Sequence, residues 1–435
     1  MDSFCVNDTS RGDPNMLPIA DGPPRLIRTV PNGLLYQVGV DEDQSWLVHV
    51  WGMNGYDYGF AYGTLLSEQI IQFFPKAYAY LEKDIIDHLE SLKLPKWVKQ
   101  LIADEGLAFA LDMQNSLAQV YVDPEIYREL HGIADATKID YDLLLRLHMF
   151  GELTRGHCSL YGLWGKATLN GKTLQMRTFD WDINAGLQDY PVITVYHPRT
   201  PTLGHTFTNV AWAGNFIILA ISKKFIVFPS GYIGVLTGMS STMMGIGSIG
   251  IRRPDDTFGD ESMMGIPFIF LQRYLMQYSE TLDDALSYIT NIRRTCHLIL
   301  GISDGKLGTG RIIQYSHSLV HFFDDINLQP LTDWHPRIDN VVYEGMDWTC
   351  PAFQSKLYEQ IRAEYGQITP ETTIQNIPAV VKTGDVQVAV YDLTDNVLYV
   401  ANARGEGEQG PRPAYQRQFI KLDLNVEYAR VLPTI

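Results

Sequence analysis

The sequence predicts an α+β fold, and three observations carry that prediction. The 435 residues are 46% hydrophobic and 11% aromatic, enough to fill a packed core and too apolar for a disordered chain. Helix-spaced apolar residues dominate the first third of the chain, whereas short strand-like runs broken by Gly, Pro or paired Lys dominate the rest. These elements come in blocks rather than in a βαβα alternation, so helices and sheets segregate into layers.

In chain order, residues 1 to about 30 are rich in Pro and Gly and read as an extended arm. Two short strands follow, Leu34–Val40 and Trp46–Trp51. After Asn54-Gly55 a helix is expected, because Gly59, Ala61, Gly63, Leu65, Leu66, Ile70 and Ile71 fall at helical spacing. Pro95, Pro124 and the Ile139-Asp140 turn punctuate further helices. From residue 158 onward strands are expected at Val192–Tyr196, Thr206–Trp212, Phe216–Ile221, Lys224–Phe228 and Ile233–Gly238. One or two helices fill Pro267–Ile289. Strands resume at Leu298–Ser303 and Arg311–Tyr315 around an Asp304-Gly305 turn. Phe353–Tyr365 reads as a helix, and Val386–Tyr391 pairs with Val397–Ala401 across Asp395-Asn396. No internal repeat or low-complexity tract is visible.

A net charge of −16 disfavours nucleic acid and anionic membrane surfaces as partners. No run of 18 apolar residues predicts a transmembrane helix. The segment Met1–Thr9 has no basic region followed by an apolar core and does not read as a signal peptide, so the chain is expected to be cytoplasmic or already processed. Asn7-Asp8-Thr9 is the one usable glycosylation sequon. The four cysteines, Cys5, Cys158, Cys296 and Cys350, form no Cys-x-x-Cys and no Cys/His cluster, so neither a metal nor another cofactor is expected.

The chemistry concentrates around Cys158. Two apolar runs joined by Asn170-Gly171 predict a hairpin that starts at this thiol and carries Arg177 and Asp180 near its end. A thiol of ordinary pKa near 8.5 is mostly protonated at neutral pH, and a cation such as Arg177 favours the thiolate by Coulomb attraction. A carboxylate such as Asp180 anchors an amine or a guanidinium by a charge-assisted hydrogen bond. Two other patterns carry no site. Gly245-Ile246-Gly247-Ser248-Ile249-Gly250 fits a dinucleotide-binding string, but Pro254 forbids the immediate helix such a site needs. Cys296 and His297 are strand neighbours pointing to opposite faces.

Several segments resemble the acid ceramidase-like and isopenicillin N acyltransferase-like cysteine N-terminal-nucleophile (Ntn) hydrolases of the choloylglycine hydrolase superfamily. Gly55–Gly63 resembles the Gly-x-Ala-x-Gly helix start, and Glu129-Leu130-His131-Gly132-Ile133-Ala134 the element before the cleavage site. Cys158-Ser159, Arg177-Thr178-Phe179-Asp180-Trp181, Thr237-Gly238-Met239-Ser240 and the segment from Pro413 to Leu424 resemble positions near the active site and the last strand. The resemblance implies a four-layer αββα sandwich over residues 158–435, preceded by a helical segment, 1–157. It implies cleavage between His157 and Cys158, after which the two chains stay together and the freed α-amine is the base for Cys158. The implied activity is hydrolysis of a non-peptide N-acyl amide, a small-molecule or lipid amide such as ceramide or an N-acylethanolamine. Arg177 and Asp180 are catalytic in that picture, and Trp181, Met239, Ser240 and Gly345 border the substrate or the oxyanion. An acyltransferase, or an impaired member acting as a secreted binding glycoprotein, are the alternatives. A lysosomal or secreted location, glycosylation at Asn7 and a Cys5–Cys350 disulfide go with the resemblance; three reduced, buried thiols are the alternative to that bridge. Two positions depart from it. Thr178 stands where Asn is usual, and Gly345 stands where the oxyanion Asn is expected.

Overall fold

The computed structural model describes residues 10–433 apart from 72–81, 84, 88, 90–95, 154–157, 182, 184–188, 214–219, 222–223, 226–230, 252–256, 328–334, 346–350 and 406–407. Cys5, Asn7, His157 and Cys350 lie outside the described residues.

Strands β1 (Arg25–Val30), β2 (Gly33–Val38) and β3 (Ser45–Gly52) precede the helices α1 (Gly55–Leu65), α2 (Lys96–Glu105), α3 (Leu107–Ala118), α4 (Pro124–Thr137) and α5 (Tyr141–Leu153). The hairpin β4 (Leu160–Gly165) and β5 (Gly171–Phe179) comes next, then β6 (Pro191–Pro198), β7 (Phe207–Trp212), the short pair β8 (Ala220–Ile221) and β9 (Lys224–Phe225), β10 (Thr237–Ser240) and β11 (Met244–Gly250). Helices α6 (Phe268–Tyr278) and α7 (Leu282–Asn291) lead to β12 (Leu298–Asp304), β13 (Thr309–Tyr315), β14 (Val320–Phe323) and β15 (Val341–Glu344). The chain closes with α8 (Pro351–Glu364), α9 (Pro370–Asn376), α10 (Pro378–Val381), β16 (Gln387–Asp392), β17 (Val397–Asn402), β18 (Ile420–Asp423) and α11 (Leu424–Tyr428).

Two large sheets result. One has ten strands in the order β1-β2-β3-β6-β7-β10-β11-β12-β13-β14, and the other six in the order β15-β4-β5-β16-β17-β18. Strand periodicity explains their stacking. On β3, Leu47 and Trp51 join a buried cluster with Tyr391, Leu398 and Val400 of the six-stranded sheet. Val48 and Val50, on the opposite face, pack with Tyr58 and Tyr62 of α1 and Leu130 of α4. Leu357 and Ile374, from α8 and α9, pack against Tyr161 and Met176 of the six-stranded sheet. The mixed α+β content expected from the sequence is present, and among the described residues no helix is long and apolar enough to cross a membrane.

The segment 1–157 is more than helices. Its strand β3 runs parallel to β6, from Trp46 opposite Val192 to Gly52 opposite Pro198, so three of its strands extend the ten-stranded sheet. The expected extended arm ends earlier than the sequence suggests: Arg25–Val30 is a strand, turned into β2 through Asn32 at φ 61°. The strand expected at Ile233–Gly238 begins later, at Thr237, because the backbone before it bonds elsewhere: Val235 N–H donates to Ile269 and the Gly234 carbonyl accepts from Asn209. The Gly245–Gly250 string is strand β11.

The small residues of the Gly-x-Ala-x-Gly stretch also find a cause. A Cβ at Gly59 would sit 1.8 Å from the Glu129 carbonyl oxygen, and one at Gly132 would sit 2.4 Å from that of Tyr56. Helices α1 and α4 therefore touch backbone to backbone, which fixes Glu129 in the core.

Candidate active site

The hairpin register places the candidate nucleophile. Leu160 pairs with Arg177, and alternation puts Cys158, two residues earlier, on the same face as both. That face looks at the ten-stranded sheet. Cys158 and Arg177 thus become diagonal neighbours between the sheets, and Arg177 Nη2 donates to Cys158 Sγ at 3.2 Å. The backbone N–H groups of Asp180 and Gly250 also favour the thiolate form, more weakly than Arg177.

Arg177 is itself buried and held on every side. Nη1 donates to Thr237 Oγ1 at 3.0 Å, Nε to the Ser248 carbonyl at 3.4 Å, and the guanidinium lies 4.8 Å over the Phe179 ring. Among the described residues no carboxylate forms an ion pair with it. The glycine string makes room for this side chain. A Cβ on Gly247 would fall 2.6 Å from Arg177 Cγ. Gly247→Ala is expected to cost about 1–3 kcal/mol of stability by overpacking the space between the sheets, read from the urea midpoint.

Asp180 sits just past the end of β5, on the other side of the same strand. Its Oδ1 accepts from Gly384 N at 2.6 Å and Asp385 N at 3.2 Å; its Oδ2 accepts from Thr383 Oγ1 at 2.8 Å and Thr178 Oγ1 at 3.3 Å. Burial pushes this carboxyl up to about 6, and those donors limit the rise. A buried carboxyl whose folded value is raised stabilises the fold fully while protonated, below about pH 4, and loses that contribution as pH rises through about 6. Asp180→Asn is therefore expected to melt higher than the parent at pH 7, with the gap closing below pH 4, as followed by calorimetry.

The thiol corrects one expectation. Burial outweighs the attraction of Arg177 and pushes Cys158 up to about 11 rather than down. In the uncut chain this thiol is protonated at neutral pH and needs a base.

The other expected site residues divide. Trp181 is half-buried, stacks on Phe179 at 6.0 Å and donates its backbone N–H to Asp385 Oδ1 at 2.9 Å, so it borders the site. Met239 and Ser240 do not converge on the sulfur. Met239 packs in the inter-sheet cluster with Tyr391 and Val400, and Ser240 Oγ bonds Thr242 Oγ1; from that strand it is Thr237 that reaches Arg177. Gly345 follows β15, whose Glu344 pairs with Leu160, so it lies near the Cys158 end of the sheet. Its N–H donates to Gln354 Oε1 at 2.8 Å, while Gln354 Nε2 bonds the buried Glu344. A side chain there would meet Phe353 and Gln354 backbone atoms at 3.1 Å. Gly345 is thus not a free oxyanion donor. Ser159 was named only as the neighbour of Cys158 and Gly250 only as part of the glycine string, while Thr383, more than 200 residues from Cys158, gave no local signal of this role.

Two proteins of Dictyostelium discoideum are similar over almost the whole chain. Protein dcd1B is 32% identical over 431 residues, covering 96% of this chain and 81% of its own length. Protein dcd1A is 31% identical over 434 residues, covering 95% and 92%. The chain belongs to the dcd1 family. No family model matches it. Among solved structures, a mutant conjugated bile acid hydrolase from Clostridium perfringens has a TM-score of 0.37 at 13% identity, over 62% of this chain and 93% of that one. A Caenorhabditis elegans N-acylethanolamine-hydrolyzing acid amidase ortholog has a TM-score of 0.39 at 13% identity, over 55% and 93%. Penicillin V acylase from Agrobacterium tumefaciens has a TM-score of 0.35 at 13% identity, over 62% and 86%. Superpositions this loose decide nothing about chemistry.

Proposed function

We propose that this chain is a cysteine amidohydrolase of the Ntn kind, which cuts itself before Cys158 and then cleaves a non-peptide N-acyl amide through an acyl-thioester on that residue. A lipid amide such as a ceramide or an N-acylethanolamine is the substrate class that goes with the resemblance. The observation that carries the reading is the buried sulfur of Cys158, faced by Arg177 at 3.2 Å and by the N–H of Asp180, whose carboxylate is clasped by four donors.

In the self-cleavage step the sulfur attacks the carbonyl carbon of residue 157 and its proton leaves to a base. Asp180 is the carboxylate whose charge reaches this thiol, and near pH 7 it is ionised and able to accept that proton. The C–N bond breaks, the nitrogen takes a proton to become the α-amine of Cys158, and water hydrolyses the thioester. In turnover the amine, of ordinary pKa near 7.7 to 8.0, takes the thiol proton and passes it to the leaving amine, while Asp180 anchors the ammonium form. Arg177 stabilises the thiolate by its charge.

A second reading, a binding protein that has lost turnover, is favoured by Gly345, whose N–H is already occupied by Gln354. The test is intact mass of purified chain incubated at acidic and neutral pH. A fragment beginning at Cys158 supports the amidohydrolase; a chain that stays whole under every condition supports the binding protein.

A further inference from the structure

Resting on the amidohydrolase reading, we propose that Thr383 is a positioning residue that fixes the Asp180 carboxylate for the chemistry of Cys158. The turn after α10 is shaped for this. Lys382 has φ 62° and Gly384 has φ 90°, and a Cβ on Gly384 would sit 2.3 Å from Val388 Cγ2, so the turn is closed to a larger residue. That shape presents three donors to one carboxylate: the N–H groups of Gly384 and Asp385 on Oδ1, and the Thr383 hydroxyl on Oδ2 at 2.8 Å.

The same hydroxyl is a junction. Thr383 Oγ1 lies 2.8 Å from both Ser159 Oγ and Thr178 Oγ1. With its hydrogen on Asp180, it accepts from Ser159 Oγ and lies against Thr178 Oγ1, whose own hydrogen also goes to Asp180; Ser159 and Thr178 adjoin Cys158 and Arg177 respectively. Ser159 and Thr178 are locked to each other as well, through Ser159 N to Thr178 Oγ1 at 2.7 Å and Thr178 N to the Ser159 carbonyl at 2.8 Å. One buried side chain therefore ties together the residues next to the nucleophile, next to the guanidinium, and the carboxylate itself. Among the described residues no cation pairs with Asp180, so these neutral donors alone hold its charge until an ammonium forms beside it.

Thr383→Val keeps the shape and removes the hydroxyl. Losing a donor to the ionised carboxylate makes ionisation harder, so the acidic limb of the self-cleavage rate against pH is expected to move up by about one pH unit, a loss of about tenfold on that limb. Thr383→Ser restores the hydroxyl and is expected to return the limb to its parental position. Calorimetry of all three proteins separates this from a loss of fold: a general packing defect lowers the rate equally at every pH. A Thr383→Val limb that coincides with the parent's, or a uniform loss of rate at every pH, overturns the role of Thr383 while leaving the amidohydrolase standing. A parent that never cuts itself overturns both.

Discussion

Cys158→Ala is expected to give a folded chain that stays whole where the parent yields a fragment beginning at Cys158. Among the described residues the thiol is the only group at the site able to form the thioester, so its removal should slow the cut by about 10⁴-fold or more, as loss of a nucleophile does elsewhere. The fold should survive. Removing one sulfur leaves a small void and frees a single donor of Arg177, which still holds Thr237 and the Ser248 carbonyl, for a cost on the order of 1–2 kcal/mol. Cys296→Ala is the control. That thiol is also buried, but it belongs to the helix-side cluster of the ten-stranded sheet with Ile266 and Leu298. Its variant should cut at the parent's rate. Mass spectrometry of both, after equal incubation, reads the result. Cutting by the Cys158→Ala chain at the parental rate would assign any fragment to a separate protease and remove the nucleophile from the site.

The hairpin was legible because its signals are local. Asn170-Gly171 takes positive φ at both positions, 62° and 73°, as a tight turn requires, and alternation then decides which face Cys158 and Arg177 share. What alternation cannot show is what lies opposite. The Gly245–Gly250 string was read as carrying no site, yet one of its glycines, Gly247, forms the bed of Arg177 because the neighbouring sheet presses on it. The clasp around Asp180 depends on a turn at 382–384 that long-range folding delivers. The pKa of Cys158 was misjudged for a related reason: the sequence displays the nearby cation but not the depth of burial, and burial wins. Strand β1 escaped because Pro23, Pro24 and Pro31 flank it, although a proline at a strand border leaves an edge strand intact.

Arg273→Met is expected to destabilise the protein by about 3–5 kcal/mol, the usual cost of leaving one member of a buried ion pair alone. Arg273 on α6 and Glu129 on α4 are 2% and 1% exposed at the side chain and meet at 2.7 Å. The arginine also donates to the Ile233 carbonyl at 2.9 Å and to Gln277 at 3.1 Å, and stacks 4.1 Å over the Tyr196 ring. Burial pushes Glu129 above its ordinary value and Arg273 pulls it back, so without the arginine Glu129 either buries an unpaired charge or takes up a proton. The pair has a further consequence because of where its members fall in the chain. Glu129 lies before the proposed cut and Arg273 after it, alongside the parallel β3–β6 ladder that also spans the two segments. In a cut protein the same substitution should therefore loosen the hold of one fragment on the other, visible as separation in mild denaturant by gel filtration. Converting both members to apolar residues, Glu129→Leu with Arg273→Met, should recover most of the lost stability, since no charge is then stranded. If the double variant is no more stable than Arg273→Met alone, the loss comes from the packing of the arginine on Tyr196 and Phe207 rather than from the charge of Glu129.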